Sequence, residues 1–266
     1  MKDLLAWFSL KRFPFDKNIK SAETFDCAPL SECIARLEYM KRRGGIMLLT
    51  GDPGVGKSLA LRCFADSLNE NLFQAFYTAL STLTRIDMLK HLNRLLGLPL
   101  RGAKSANHTQ IQTHLLESRE KMGKTIIFAI DEAQLLKTGT LEELRLLTNF
   151  RMDSFDPFIL ILSAQSEMRR TMNFAVMEPL RQRLAMTYHM PPLPEEETAR
   201  YVNHHLKLAG TREPLLDEQA LRAVYDLSFG IPRRIGAIVN EALTYAMFDQ
   251  KRAVTAEMVL KANSSA

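Results

Sequence analysis

Three stretches of the chain are apolar almost without interruption: "GIMLLT" at 45–50, "TIIFAI" at 125–130 and "FILILSA" at 158–164. Each has strand length and ends at turn-forming or acidic residues, which predicts strands buried on both faces. A fourth strand is expected in "LFQAFYTA" at 72–79. Elsewhere apolar residues recur with helical spacing, which predicts helices at 31–43, 57–68, 84–96, 108–121 and 140–151, the first with Ser31 as its N-cap. The turn-rich "GLPLRGAKSAN" separates the third and fourth of these. Past "HMPPLP" at 189–194 only helical patterns follow, at about 194–209, 217–227, 232–248 and 255–262. Strands alternating with helices predict an α/β layer fold with a parallel sheet and crossover helices. The expected organisation is an N-terminal strap and helix (1–43), an α/β core (44–192) and a small all-helical domain (193–266).

Composition adds little to that picture. At 266 residues, 46% hydrophobic and 24% charged, the chain reads as an ordinary globular protein. No apolar run approaches the roughly 18 residues of a membrane helix. The N-terminal "LLAWFSL" is followed by "KRFPF" where a small-residue cleavage site would stand, so a cytoplasmic location is expected. The net charge of +5 is compatible with a polyanionic partner without requiring one. Cys27, Cys33 and Cys63 lack metal-type spacing and read as idle thiols in a reducing compartment. His204 and His205 are neighbours that point to different helix faces.

Candidate chemistry changes the picture more. Gly51-x-x-x-x-Gly56-Lys57-Ser58 fits the P-loop pattern without a mismatch, between a predicted buried strand and a predicted helix. Its glycines (Gly51, Gly54, Gly56) let backbone N–H groups face phosphates, and the helix N-terminus favours the same anion. The loop residues Asp52, Pro53 and Val55, with Leu59 just beyond, complete the candidate cradle. Lys57 would reach the β- and γ-phosphates of ATP, and the Ser58 hydroxyl would ligate Mg²⁺. "TIIFAIDEAQ" places Asp131 and Glu132 at the carboxyl end of a buried strand, where open parallel sheets bind ligands. Asp131 would hold Mg²⁺, mainly through water, and Glu132 would act as general base toward the attacking water.

Beyond these two elements, "DEAQ", "LSAQSEM", "PLRQRL" and "GIPRRI" together resemble an AAA+ ATPase with its helical lid. The order of "FPF", the P-loop, "DEAQ", "QSEM", "RQR" and "PPLPEEET" is similar to the group containing the secretion protein ExeA and the transposition regulators TniB and TnsC, over roughly residues 10 to 260. The resemblance implies a polar sensor at the end of the fourth strand, from Ser163 or Gln165, with Gln165 preferred. It implies an arginine finger reaching a neighbouring subunit's ATP from Arg181 or Arg183, and a lid sensor in Arg233. An in-trans finger makes a lone monomer a poor ATPase.

The resemblance further implies a transposition regulator: a homo-oligomer, ring or filament, that assembles on duplex DNA with ATP, recruits a transposase and a target-selection adaptor, and disassembles on hydrolysis. No membrane segment follows the lid, so the secretion reading is expected not to apply. Lys and Arg lining the oligomer would track phosphates with little sequence preference. Candidates are Arg85, Lys90, Arg94, Arg101 and Lys104, with "SREKMGK" at 118–124 as a second set; a solvated helix face is the competing account of each. Two rival functions are an AAA+ remodeller or loader that does work on a complex, and a nucleotide-shaped adaptor without significant turnover. The segment "KDLLAWFSLKRF" is expected as a strap across the ATPase body, with partner docking as its alternative.

Overall fold

The buried runs dictate where the sheet lies. In the computed structural model, which describes residues 4–264, the elements run α1 (Leu4–Phe8), α2 (Ala28–Arg43), β1 (Gly45–Thr50), α3 (Lys57–Asp66), β2 (Phe73–Thr78), α4 (Arg85–Leu95), α5 (Lys104–Lys121), β3 (Thr125–Ile130), α6 (Thr138–Leu147), β4 (Phe158–Ala164), α7 (Met168–Thr171), α8 (Glu178–Arg181), β5 (Leu184–His189), α9 (Glu195–Ala209), α10 (Glu218–Ser228), α11 (Pro232–Phe248) and α12 (Ala256–Ser264). Lys2 and Asp3 of the N-terminal strap lie outside the described residues.

Two compact units result. One is formed by Glu32–Pro53 with Lys57–Met190; the other joins the residues before Glu32, Gly54–Gly56 and the chain from Pro191 onward. The first unit holds a five-stranded sheet in the order β2-β3-β4-β1-β5, parallel at every pairing. Strands β1 and β4 are buried along their whole length, as continuous apolar runs require when both faces are covered. Ile126, Phe128, Leu160 and Leu162 meet Met88, Leu92, Ile111, Leu115 and Leu144 from the helices in one core.

The fifth strand, "LAMTYH", is absent from the sequence-based expectation. It pairs with β1 at a sheet edge, is only partly buried, and shifts register between Ile46 and Met47, so neither a continuous run nor a clean alternation marks it. The short helices α7 and α8 are too brief to carry a period. Helix α2 starts three residues before Ser31, so Ser31 is not its N-cap; its hydroxyl donates to Asp26. Helix α5 starts at Lys104 rather than 108. Helix α6 ends at Leu147, short of the expected 151, because Phe150 is already extended (φ −114°, ψ 140°) and bridges Phe155.

In the second unit, α9 to α12 enclose Val202, Leu206, Ala220, Val224, Ile235, Val239, Leu243 and Val259. Asp217 caps α10 by accepting from the Ala220 N–H at 2.7 Å. Gly230 precedes α11 with φ +70°, and a Cβ there would meet the Leu193 carbonyl oxygen at 1.9 Å, so only glycine fits. The N-terminal strap, expected across the α/β body, belongs to this helical unit. The Lys11 N–H donates to the Ala209 carbonyl, Arg12 holds both carboxylate oxygens of Glu23, and Phe15 stacks on His205 at 4.8 Å. Phe13, by contrast, is exposed.

Candidate nucleotide site

Strand β1 delivers the chain into the glycine loop, and α3 begins at Lys57. Gly54 and Gly56 take φ of +90° and +114°, the left-handed region that lets the loop curl. Lys57 is 8% exposed and donates to the carbonyls of Gly51 (2.7 Å) and Asp52 (3.2 Å), which ties the two ends of the loop together. Pro53 is exposed, Val55 is buried and Leu59 is half-buried, while the Asp52 carboxylate accepts from the Ser166 hydroxyl.

At the end of β3, Asp131 gathers the site. Its Oδ1 accepts from the Ser163 hydroxyl (2.7 Å) and the Glu132 N–H (3.0 Å). Its Oδ2 accepts from the Ser58 hydroxyl (2.9 Å) and the Tyr77 hydroxyl (2.7 Å). Burial works against the charged form, but these four donors outweigh it and hold the Asp131 carboxyl below the usual carboxylate range. The Tyr77 phenol is pushed the other way, up to about 12, by burial and by the adjacent carboxylate.

Glu132 is held separately. Its backbone is left-handed (φ 53°, ψ 35°), which turns the side chain away from that of Asp131 to a different set of partners. Its Oε2 accepts from the Gln134 side-chain amide at 2.6 Å and from that of Gln165 at 3.2 Å. The Gln134 Oε1 in turn accepts from the Gln165 N–H at 2.9 Å, so the three residues lock one another. A carboxylate gripped at one oxygen keeps the other for a water's proton, the geometry a general base needs.

Ser58 and the charged Asp131 carboxylate stand within hydrogen-bond distance, both offering hard oxygen atoms. That donor set fits Mg²⁺: Ser58 would be its direct ligand, Asp131 would hold its hydration shell, and the ion would screen phosphate charge.

Sequence reasoning treated Ser163 and Gln165 as alternatives for one sensor, yet each serves a different acid: Ser163 braces Asp131 and Gln165 braces Glu132. Tyr77 and Gln134 escaped it. Tyr77 could have been found from register, because β2 pairs with β3 so that Tyr77 meets Ala129 and Thr78 meets Ile130, one residue before Asp131.

The arginines separate clearly. Arg183 is largely buried, donating to the Thr148 carbonyl (3.2 Å) and hydroxyl (3.0 Å) and pairing with Asp153 at 2.5 Å. Arg181 has a side chain 43% exposed, held by Glu178 on its own helix and the Met172 carbonyl. Arg233 is exposed, and its N–H donates to the Gly54 carbonyl at 3.3 Å within the same unit.

The five basic candidates do not form one stripe. Lys90 and Arg94 sit one turn apart on α4, whereas Arg85 lies nine residues before Arg94, on the opposite side of the helix. Arg101 is held by Gln110 (3.0 Å), and Lys104 is paired at 2.8 Å with the buried carboxylate of Glu143. In the second set, Arg119 donates to Thr125 and Lys121 to Glu117. Among the described residues, no helix is long and apolar enough to cross a membrane.

Comparison with known proteins fixes the family. The AAA domain family matches residues 40–172. General secretion pathway protein A of Aeromonas hydrophila is 32% identical over 244 residues, covering 90% of this chain and 44% of the relative. This chain thus spans less than half of that curated relative, and the expectation that secretion could be set aside from the chain's end is withdrawn. Among solved structures, Cdc6p of Pyrobaculum aerophilum superposes with a TM-score of 0.63 at 16% identity (97% of this chain, 70% of that one). The Aeropyrum pernix ORC1 protein in complex with DNA gives 0.65 at 18% identity (91% and 66%). A Walker-type ATPase of Pyrococcus abyssi gives 0.65 at 21% identity (94% and 74%). These structural likenesses show the shared fold: a parallel sheet flanked by helices, followed by a helical region. The complete P-loop after β1, the paired acids just past the end of β3 and the family match make this chain an AAA+ P-loop ATPase.

Proposed function

We propose that the protein is an ATP-controlled assembly switch: copies carrying ATP and Mg²⁺ join into a ring or filament on duplex DNA, present a surface to a transposase and its targeting adaptor, and separate after hydrolysis. The observation that carries the reading is the contrast between its acids and its arginines. Glu132 is gripped within the chain by Gln134 and Gln165, while Arg181, on a short helix with its side chain 43% exposed, is held among the described residues by Glu178 and the Met172 carbonyl. A guanidinium in that setting is free to reach the nucleotide of an adjoining copy, where it stabilises charge on the transferred phosphoryl. Arg181 is therefore the finger, and Arg183 is a structural residue. Arg233 is the lid sensor, and Lys90 and Arg94 are the foremost phosphate contacts.

The test is anisotropy on a long random-sequence duplex with ATP, ADP or no nucleotide at two salt concentrations, alongside Glu132→Gln imaged by negative stain. Binding that needs ATP, weakens with salt and is trapped as oligomers by Glu132→Gln supports the switch. Loss of nucleotide dependence on duplex removes the DNA reading.

A second reading is favoured by the 32% identity to a secretion-pathway protein: the same ATP-driven assembly would act on a protein complex. Nucleotide-dependent oligomers that ignore DNA would select it.

A further inference from the structure

An ionised carboxylate offers about four lone-pair positions. On Asp131 all four are taken: Ser163 and the Glu132 N–H fill Oδ1, and Ser58 and Tyr77 fill Oδ2. Asp131 therefore has no acceptor position to spare for a donor from a metal's hydration shell. One of the four must leave.

Three of them are poorly placed to go. Ser163 is fully buried inside β4. The Glu132 N–H is backbone, fixed by the turn that follows β3. The Ser58 hydroxyl can donate to Asp131 and offer its own lone pair to a cation simultaneously, so it does not need to move. Tyr77 differs from all three: it stands on the edge strand β2, 55% exposed, and only its hydroxyl reaches into the site, where it also meets Ser58. Its ring can swing toward solvent without opening the core.

We propose that Tyr77 is a displaceable cap on Asp131. Its hydroxyl keeps the carboxylate satisfied and aligned beside Ser58, and gives up Oδ2 when magnesium-bound nucleotide enters. Tyr77 is thus a positioning residue that sets how much Mg²⁺ the site demands. The inference rests on the metal role given above to Ser58 and Asp131, and it concerns cation affinity rather than the chemical step.

The experiment measures affinity for a fluorescent ATP analogue across a free-Mg²⁺ titration in wild type, Tyr77→Phe and Ser58→Ala, with thermal melts to confirm folding. Phenylalanine keeps the ring and removes only the competing donor. The half-saturating Mg²⁺ concentration is expected to fall by roughly ten- to hundredfold in Tyr77→Phe, the scale of one hydrogen bond to a charged group. Ser58→Ala is expected to lose the Mg²⁺ effect. An unchanged or higher Mg²⁺ requirement in Tyr77→Phe overturns the cap. A wild type whose nucleotide affinity ignores Mg²⁺ overturns the metal role of Ser58 and Asp131 instead.

Discussion

Gln165 holds Glu132 by a 3.2 Å hydrogen bond to the same carboxylate oxygen that Gln134 grips at 2.6 Å. Glu132→Gln is expected to lower ATP turnover by about 10²–10⁴-fold, the usual contribution of a positioned general base. Nucleotide affinity should stay within about twofold, because the P-loop contacts are untouched. Gln165→Ala should lower kcat by about tenfold with little change in KM, since it loosens the base without removing it. Phosphate release at saturating ATP, paired with equilibrium nucleotide binding, checks both.

Arg181 and Arg183 should fail in different ways. Arg181→Ala is expected to cost about 10³-fold or more in oligomer-stimulated turnover, as loss of a finger does, with no change in melting temperature. Arg183→Ala leaves the Thr148 carbonyl and hydroxyl without their donor and should lower stability by about 1–3 kcal/mol. Urea denaturation beside steady-state turnover separates the two outcomes. A stable but inactive Arg183→Ala would reverse the assignment.

Acid should weaken the helical unit through His205. Burial first, then the neighbouring charges of His204 and Arg12, depress its imidazole from the ordinary 6.5 to about 4. Phe15 stacks on its ring and Tyr201 meets it edge-on. The unfolded chain then binds a proton that the folded chain refuses, so stability is full above pH 6.5 and falls as pH drops toward 4. The loss is on the order of 3 kcal/mol by the proton-linkage relation. His205→Gln should flatten that slope in denaturation curves taken at several pH values.

Gly230→Ala is expected to cost at least about 3 kcal/mol or abolish folding, because it adds backbone strain to a clash with the Leu193 carbonyl. Thermal melting of the purified variant, or its failure to accumulate in soluble form, is the readout.

Basic side chains should divide by their partners. Alanine at Lys90 or Arg94 is expected to reduce the salt dependence of duplex binding by about one unit of slope each. Lys104→Ala should instead lower stability, since it strands the buried Glu143 carboxylate. Duplex titrations over a salt series, with melts of each variant, distinguish these effects.

Much of this was legible in advance. "GIMLLT", "TIIFAI" and "FILILSA" are buried on both faces, and a strand with no solvent side advertises itself by composition alone. The P-loop and the paired acids were legible because phosphate and metal chemistry admit few residue types. What escaped depends on register and on partners far away in sequence. Strand β5 is held by β1, its only described strand neighbour, and carries no period. Tyr77 reaches Asp131 only because β2 and β3 align in one register. The separate fates of Arg181 and Arg183 turn on Thr148 and Asp153, more than 25 residues upstream.

Ser163 within β4 and Gln165 just past its end lie two residues apart and reach one acid each. A slip of β4 by a single residue would turn both away together. Asp131 and Glu132 would then lose their braces in the same event. Half-assembled sheets therefore have no half-strength catalyst, and a nascent or damaged copy stays silent until its central strands are in place.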